Sequence, residues 1–299
     1  MHGELKRRAD EAFRRMEACT VCPHRCGVNR LRGQTGKCRT GLRARVCSFH
    51  PHFGEESPLV GRGGSGTIFF SWCNLHCHFC QNYEISQLGE GVEVEPESLA
   101  RMMLELQAMG CHNINFVSPS HVVPQMLMGV YIAASRGLDL PLVYNTGGYD
   151  ALDTLELLDG VCDVYMPDMK YADPDVAREH SEAEDYPSVN FAAVKEMHRQ
   201  VGDLVLDKHG VAVQGLLVRH LVLPNGLAGT GEVVRFLADA ISKDTYINVM
   251  DQYRPCYRAE CTPALNRRIT VAEHAEAVRL AEEAGLHRLD NRVARGRRW

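Results

Sequence analysis

Three cysteines fall within eight residues, Cys73, Cys77 and Cys80, in the run Ser71-Trp72-Cys73-Asn74-Leu75-His76-Cys77-His78-Phe79-Cys80-Gln81-Asn82. A [4Fe–4S] cube normally takes four thiolates, one per iron. No further cysteine follows before Cys111, so this loop satisfies three irons and leaves one open. An open iron can chelate a substrate or cofactor. A zinc knuckle would instead pair two Cys-x2-Cys units, and buried structural thiols have no need of this spacing. A second group, Cys19, Cys22, Cys26 and Cys38, is spaced Cys-x2-Cys-x3-Cys-x11-Cys. Four thiolates suit a closed structural zinc or an auxiliary [4Fe–4S] cube. Pro23 and the glycine-flanked Cys38 lean the reading toward zinc. Zinc would brace a lid or docking module, whereas a cube could relay electrons or bind substrate.

Elements of regular structure must hold these loops in place. From about residue 66 the pattern alternates between strand and helix. Strands are expected at Thr67–Ser71, Asn113–Val117, Leu140–Asn145, Asp163–Pro167, Gly215–Leu223 and Tyr246–Met250. Helices are expected at Ser98–Met109, Pro124–Ser135, Ala151–Leu158, Asn190–Val201, Gly231–Ile241 and Val271–Ala284. Such alternation predicts an α/β fold of parallel strands with crossover helices. Polar clusters end the strands: Cys73 after the first, Ser118-Pro119-Ser120-His121 after the second, Asn145-Thr146-Gly147-Gly148 after the third. Asp168-Met169-Lys170 ends the fourth and Asp251-Gln252-Tyr253 the sixth. Loops at the carboxyl ends of parallel strands converge on one face, so these clusters should meet. Residues 1–62 read as a separate module, a polar helix (Glu4–Glu17) followed by the four cysteines, with residues 63–299 forming the main domain. Little apolar material is available to the module, and a bound metal would contribute directly to its folding.

Composition narrows the functional class. The 299 residues are 45% hydrophobic and 24% charged with a net charge of −5, as in a soluble globular chain with ample core and no bias toward nucleic acid. Eight of the twelve cysteines lie in the first 80 positions, a clustering that points to metal ligation rather than scattered disulfides. The opening residues are charged and the longest apolar stretch, Ile114 to Ala134, is interrupted by Pro119, His121, Pro124 and Gln125. No signal peptide or membrane span is therefore expected, and a cytoplasmic, oxygen-sensitive protein is the coherent reading.

The triad with its aromatic before the last cysteine resembles the signature of the radical S-adenosylmethionine (SAM) superfamily. More widely the chain resembles the glycyl-radical-enzyme activase branch, as a homologue of pyruvate formate-lyase activating enzyme. The likeness is carried by Cys-Pro-His-Arg-Cys-Gly-Val-Asn-Arg at 22–30, Gly-Ser-Gly-Thr-Ile-Phe-Phe-Ser at 64–71 and Cys-Gln-Asn at 80–82. It continues in Tyr-Asn-Thr-Gly-Gly-Tyr at 144–149, Arg-His-Leu-Val-Leu-Pro at 219–224 and Gln-Tyr-Arg-Pro at 252–255. The resemblance implies a partial (βα)6 barrel with the cube near its top, SAM on the open iron, and reductive cleavage of SAM to a 5′-deoxyadenosyl radical that abstracts hydrogen. It also implies a reducing partner such as flavodoxin or ferredoxin. Asn145, Thr146 and Gly147 align with the SAM-binding motif, and Asp168 and Lys170 match an Asp-x-Lys that contacts SAM or steers its cleavage. Arg219 and the loop at Pro224 fall near where relatives bind SAM's methionyl and adenine parts, and Gln252 is a further candidate for binding SAM. Where activases carry Gly-Gly-Glu for the SAM amino group, this chain has Ser118, Pro119, Ser120 and His121; a serine hydroxyl or carbonyl could accept that ammonium's hydrogen bond. The hydrogen donor would be a glycine of a partner protein, a peptide or a small metabolite.

A rival of another class is an iron–sulfur carrier or metal scaffold without SAM chemistry, which would have no use for Asn145, Asp168, Lys170 and Arg219 together. His76 and His78 are expected to tune the cluster surroundings rather than ligate iron, and His121 and His220 to be hydrogen-bonded scaffold residues. Cys256 and Cys261 could return hydrogen to a substrate radical but read more simply as packing thiols. Cys47, Cys111 and Cys162 read as core, and Arg292, Arg295, Arg297 and Arg298 as a solvated basic end.

Overall fold

The computed structural model describes residues 2–290, and the basic end at 292–298 lies outside them. In chain order the elements begin with α1 (His2–Arg14), β1 (Ala44–His52), α2 (Ser57–Val60), β2 (Ser65–Phe70), α3 (Tyr83–Ser86) and β3 (Val92–Val94). They continue with α4 (Pro96–Ala108), β4 (Ile114–Val117), α5 (Val123–Ala134), β5 (Leu142–Thr146), α6 (Leu152–Glu156) and β6 (Val164–Pro167). The last are α7 (Pro174–Ser181), α8 (Tyr186–Val201), β7 (Val205–Leu206), β8 (Ala212–Leu221), α9 (Thr230–Phe236), β9 (Tyr246–Met250), α10 (Val271–Glu283) and β10 (Arg288–Leu289). The six expected strands are all present, as β2, β4, β5, β6, β8 and β9, and each pairs in parallel with the next. The sheet order is β10-β9-β8-β6-β5-β4-β2-β1-β3, with β7 added to β8. Among the described residues its two ends, β10 and β3, do not pair, so the sheet forms a partial barrel.

The parallel strands carry apolar residues on both faces because both are covered. Ile68, Phe116, Tyr144, Tyr165, Val218 and Ile247 face outward into the core shared with the helices. Val143, Val164, Met166 and Leu217 face inward around Leu59 of α2, which is fully buried and plugs one end of the barrel. One period further along the same inner face the residues become polar: Asn145 on β5, Arg219 on β8 and Asn248 on β9. Side chains two apart share a face, so a single layer separates the apolar floor from the polar rim. Loops beyond the strand ends form a third apolar cluster, with Leu75, Phe79, Tyr149, Tyr171, Tyr186 and Tyr253 buried in it.

The amino-terminal segment differs from the expected polar module in two respects. Helix α1 packs on α5, and Ala9, Ala12 and Met16 are no more than 1% exposed in the same core as the barrel helices. Strand β1, which precedes residue 62, is hydrogen-bonded antiparallel to β2. Cys111 and Cys162 are buried as expected; Cys47 is only half-buried, at the point where the β1–β2 register shifts between Val46 and Ser48. No helix among the described residues is long and apolar enough to cross a membrane.

Candidate active site

Cys73, Cys77 and Cys80 lie on the loop leaving β2. That loop is anchored by its apolar residues: Leu75 and Phe79 are buried, and Phe79 meets Tyr171 and Tyr253 edge-on with ring centroids 6.1 and 6.0 Å away. Trp72, at φ +66°, turns the chain sharply off the strand, a conformation a bulky residue adopts only where its surroundings hold it. The Cys73 sulfur accepts from the Leu75 N–H (3.4 Å), the Cys77 sulfur from the Ser181 hydroxyl (3.0 Å), and the Cys80 sulfur lies 3.0 Å from the Ser86 hydroxyl. Burial pushes the Cys73 thiol up to about 12 and the Cys77 thiol upward as well, while Lys170 pulls both down. Cys73 and Cys77, costly to ionise alone and set beside a fixed cation, suit ligation of a positively charged cluster together with Cys80.

Asn145, Asp168, Lys170 and Arg219 come together at the carboxyl ends of β5, β6 and β8. Arg219 donates through Nε to Asp168 Oδ1 (2.8 Å) and through Nη2 to Asn145 Oδ1 (2.8 Å), and Lys170 Nζ donates to Asp168 Oδ2 (2.6 Å). The side chains of Asp168, Lys170 and Arg219 are 15–18% exposed and Asn145 is buried, so the network is reachable yet poorly solvated. Burial would raise the Asp168 carboxyl, but Arg219 and Lys170 outweigh it and hold the carboxyl below its usual range. Burial would likewise lower both cations, and Asp168 keeps them firmly charged. Gly147 belongs with this group: a Cβ there would stand 3.0 Å from Leu75 of the cluster loop and 3.7 Å from the Lys170 side chain.

Other expected residues have structural tasks. Ser120 is buried, its hydroxyl 2.9 Å from that of Thr146, and Thr146 donates to Asp150 Oδ2 (2.7 Å). His121 is buried with Nε2 on the Ser71 carbonyl (3.0 Å), and burial lowers it to about 4. His220, also lowered to about 4 by burial, bridges the Met169 carbonyl and the Thr230 hydroxyl. Both imidazoles are therefore neutral braces. Gln252 meets the cluster loop through its backbone, accepting from Gln81 Nε2 (3.1 Å). Ser118 stands at φ +58° at the end of β4, and its amide donates to the Asn145 carbonyl (2.8 Å). His76 reaches the Lys37 carbonyl (3.2 Å), and His78 packs on His180. Cys256 is buried and Cys261 exposed, on a segment tied to the cluster loop by the Ala259 N–H on the His78 carbonyl (2.9 Å).

Several residues that complete the site were not singled out in the sequence. Glu55 and Glu56 are buried on the approach to α2; Glu55 stands 4.0 Å from Arg219, and Glu56 accepts from Asn248 Nδ2 (3.0 Å). Nothing in their local pattern marks them, because only the antiparallel return of β1 brings them inside the barrel. From α8, the Tyr186 hydroxyl reaches the carbonyls of Gly147 (2.9 Å) and Asp168 (3.0 Å), and Asn190 Nδ2 donates to those of Gly148 and Asp168. This helix thereby fastens the loops after β5 and β6 together. Asp150 was detectable as the only carboxylate in the turn after β5. It is buried and accepts from both Tyr144 (2.8 Å) and Thr146. Asp150→Ala should cost about 2–6 kcal/mol of stability, because two buried hydroxyls lose their acceptor at about 1–3 kcal/mol each. Denaturant unfolding measures this, and a loss below about 1 kcal/mol would mean that water replaces the carboxylate.

Residues 67–207 match the model of the radical SAM superfamily, a span containing the triad and both Asp168 and Lys170. An uncharacterised protein of Methanocaldococcus jannaschii is 33% identical over 278 residues, covering 90% of this chain and 75% of that protein. Among solved structures, one of TYW1 with a lysine-pyruvate adduct bound aligns with TM-score 0.43 and 12% identity over 73% of each chain. The chain belongs to the radical SAM superfamily.

Proposed function

We propose that Cys73, Cys77 and Cys80 hold a [4Fe–4S] cube with one open iron, and that Asn145, Asp168, Lys170 and Arg219 bind SAM beside it. The observation that carries this reading is the meeting of Asp168, Lys170 and Arg219, from two strands, next to the cysteine loop. The cube and SAM, held by these residues and supplied with one electron by a reducing partner, would provide a 5′-deoxyadenosyl radical able to take hydrogen from a substrate. The protein's contribution is orientation and exclusion of water. Lys170, held charged by Asp168, offers an ammonium to SAM's carboxylate or balances the electron-rich cube. Asn145 and Asp168 offer acceptors to a ribose hydroxyl or the SAM ammonium. Of the residues replacing Gly-Gly-Glu, Ser120 and His121 are engaged in braces, which leaves Ser118 as the acceptor for that ammonium. In this reading residues 63–299 carry the radical chemistry and residues 1–62 the cysteine-rich module. The hydrogen donor is a glycine of a partner protein, as the activase resemblance suggests, or else a peptide or small metabolite. A carrier without SAM chemistry is disfavoured because it gives this charged cluster no task.

Incubating anaerobically reconstituted protein with SAM and dithionite should yield 5′-deoxyadenosine and methionine. Protein with about four irons at the triad that forms neither product would overturn the proposal.

A further inference from the structure

We infer that a cleft beside the cysteine loop, between α3 and the segment that follows β9, binds a lysine or arginine side chain of a peptide. The inference deepens the radical reading by naming a peptide-borne hydrogen donor, and the binding itself stands without that reading.

The cleft arises where two loops are tied together. Gln81 directly follows Cys80, and its Nε2 donates to the Gln252 carbonyl (3.1 Å). Further along, the Ala259 N–H donates to the His78 carbonyl (2.9 Å). The opposed loops enclose a cleft of about 390 Å³, which takes Tyr83 and Glu84 from α3 and Arg254, Cys256, Tyr257 and Glu260 from the segment after β9.

One wall is aromatic. Tyr83 and Tyr257 stack with ring centroids 5.3 Å apart and planes 13° from parallel. Tyr257 holds φ +56°, left-handed backbone in which a bulky residue needs the support of its neighbours. The Arg258 guanidinium already lies over the Tyr257 ring at 5.3 Å, so the aromatic pair carries one cation of the protein's own. Cys256 forms the buried end of the cleft. It is 6% exposed, and its thiol has no hydrogen-bond partner among the described residues.

The charges around the rim call for a ligand. Glu84, Arg254 and Glu260 are exposed, and among the described residues none of them forms an ion pair. Nearby Glu182 shows the alternative, with Lys37 on one carboxylate oxygen and Arg258 on the other. Opposite charges that line one cleft without meeting leave room for a ligand between them, and two carboxylates against one guanidinium make the excess negative. An exposed ion pair alone contributes little. A cation set between carboxylates and laid on an aromatic face gains from both. Arg254 lines the same space and suits a neighbouring carbonyl of the ligand's chain.

Exposure of the rim selects a side chain on a longer chain over a free small molecule. Pockets for small ligands typically bury roughly 70–90% of the ligand, whereas all three charged groups here stay in solvent. A peptide anchored in the cleft runs past Cys80, because Gln81 is both its neighbour and part of the cleft wall. Helix α3 joins the two sites: Tyr83 at its start lines the cleft, and the Ser86 hydroxyl at its end lies 3.0 Å from the Cys80 sulfur. Binding energy gained away from the reacting atoms then serves to orient them.

Calorimetric titration of anaerobically reconstituted full-length protein, without SAM, tests the cleft. The probes are acetylated, amidated Gly-Gly-X-Gly-Gly peptides with arginine, glutamine or glutamate at X, and free L-arginine. The arginine peptide should bind roughly tenfold more tightly than the glutamine peptide. The glutamate peptide should be weakest, and the preference should fall as salt rises. Tyr83→Ala should weaken binding of the arginine peptide about threefold. Glu84→Lys combined with Glu260→Lys should reverse the order, so that the glutamate peptide binds best; thermal unfolding checks that this variant is folded. Equal affinity of wild type for the arginine and glutamine peptides, or an unreversed order in the folded lysine variant, would overturn the inference. Binding of free arginine where the arginine peptide fails would overturn it in favour of a small-molecule site. These results leave the radical reading untouched, since that is judged by 5′-deoxyadenosine. Wild type that prefers the arginine peptide and forms no 5′-deoxyadenosine would strike the radical reading and leave the cleft standing.

Discussion

Replacing any one of Cys73, Cys77 and Cys80 by alanine is expected to abolish formation of 5′-deoxyadenosine while leaving the fold nearly as stable as wild type. Each thiolate binds one iron, so a missing ligand exposes a second iron and the cube is lost or inert. The fold survives because the loop's anchors are other side chains: Leu75 and Phe79 are buried in the cluster over the strand ends. Cys77 is the most deeply packed of the three, and its loss leaves Ser181 Oγ still 2.9 Å from the Tyr171 hydroxyl. A deleted sulfur should cost no more than about 1 kcal/mol, comparable to other one-group deletions in a core. Iron analysis, product assay and thermal unfolding together check this. Wild-type cleavage rates in any reconstituted variant would remove the cube from the triad.

Lys170→Ala should weaken SAM binding roughly tenfold to a hundredfold, since a charge-assisted contact is typically worth about 1.5–3 kcal/mol. Iron content should not change. Lys170 reaches the network through a single bond to Asp168 Oδ2, and Arg219 continues to neutralise the carboxylate without it. Asp168 is in a different position, because its carboxylate is the partner of both cations. Asp168→Asn should therefore reduce affinity by a similar factor and also destabilise the protein, by about 3 kcal/mol for a buried pair left without its anion. Titration with SAM, followed by the shift in the cube's spectrum, and denaturant unfolding separate the two contributions. Unchanged SAM affinity in Lys170→Ala, with lowered stability, would reduce the network to a brace of the barrel rim.

The radical SAM signature and the parallel sheet were legible in the sequence because both are written in local spacing. A cysteine triad on one loop is set by the reach of a few bonds, and a parallel strand covered on both faces is apolar over most of its length. Asp168 and Lys170, two apart, likewise had to face one way. Their partnership with Arg219 followed from strand order, which alternation alone predicts well. Other features depend on residues far apart in the chain. Glu55 and Glu56 enter the site only because β1 runs antiparallel beside β2 and returns through α2 into the barrel. Their sequence neighbourhood looks like any polar loop. Ser120 and His121 could be read as cofactor ligands until the tertiary structure bound them to Thr146 and Ser71. Arg30 is the clearest case: on the chain it is one cation in a basic run, and in the fold it is a buried charge against Cys19. Sequence by itself determined which donor atoms each loop offers and at what spacing, because residue type and loop spacing are covalent facts. Which charges share a low-dielectric space, and so which residues act together, was decided only when the barrel closed around them.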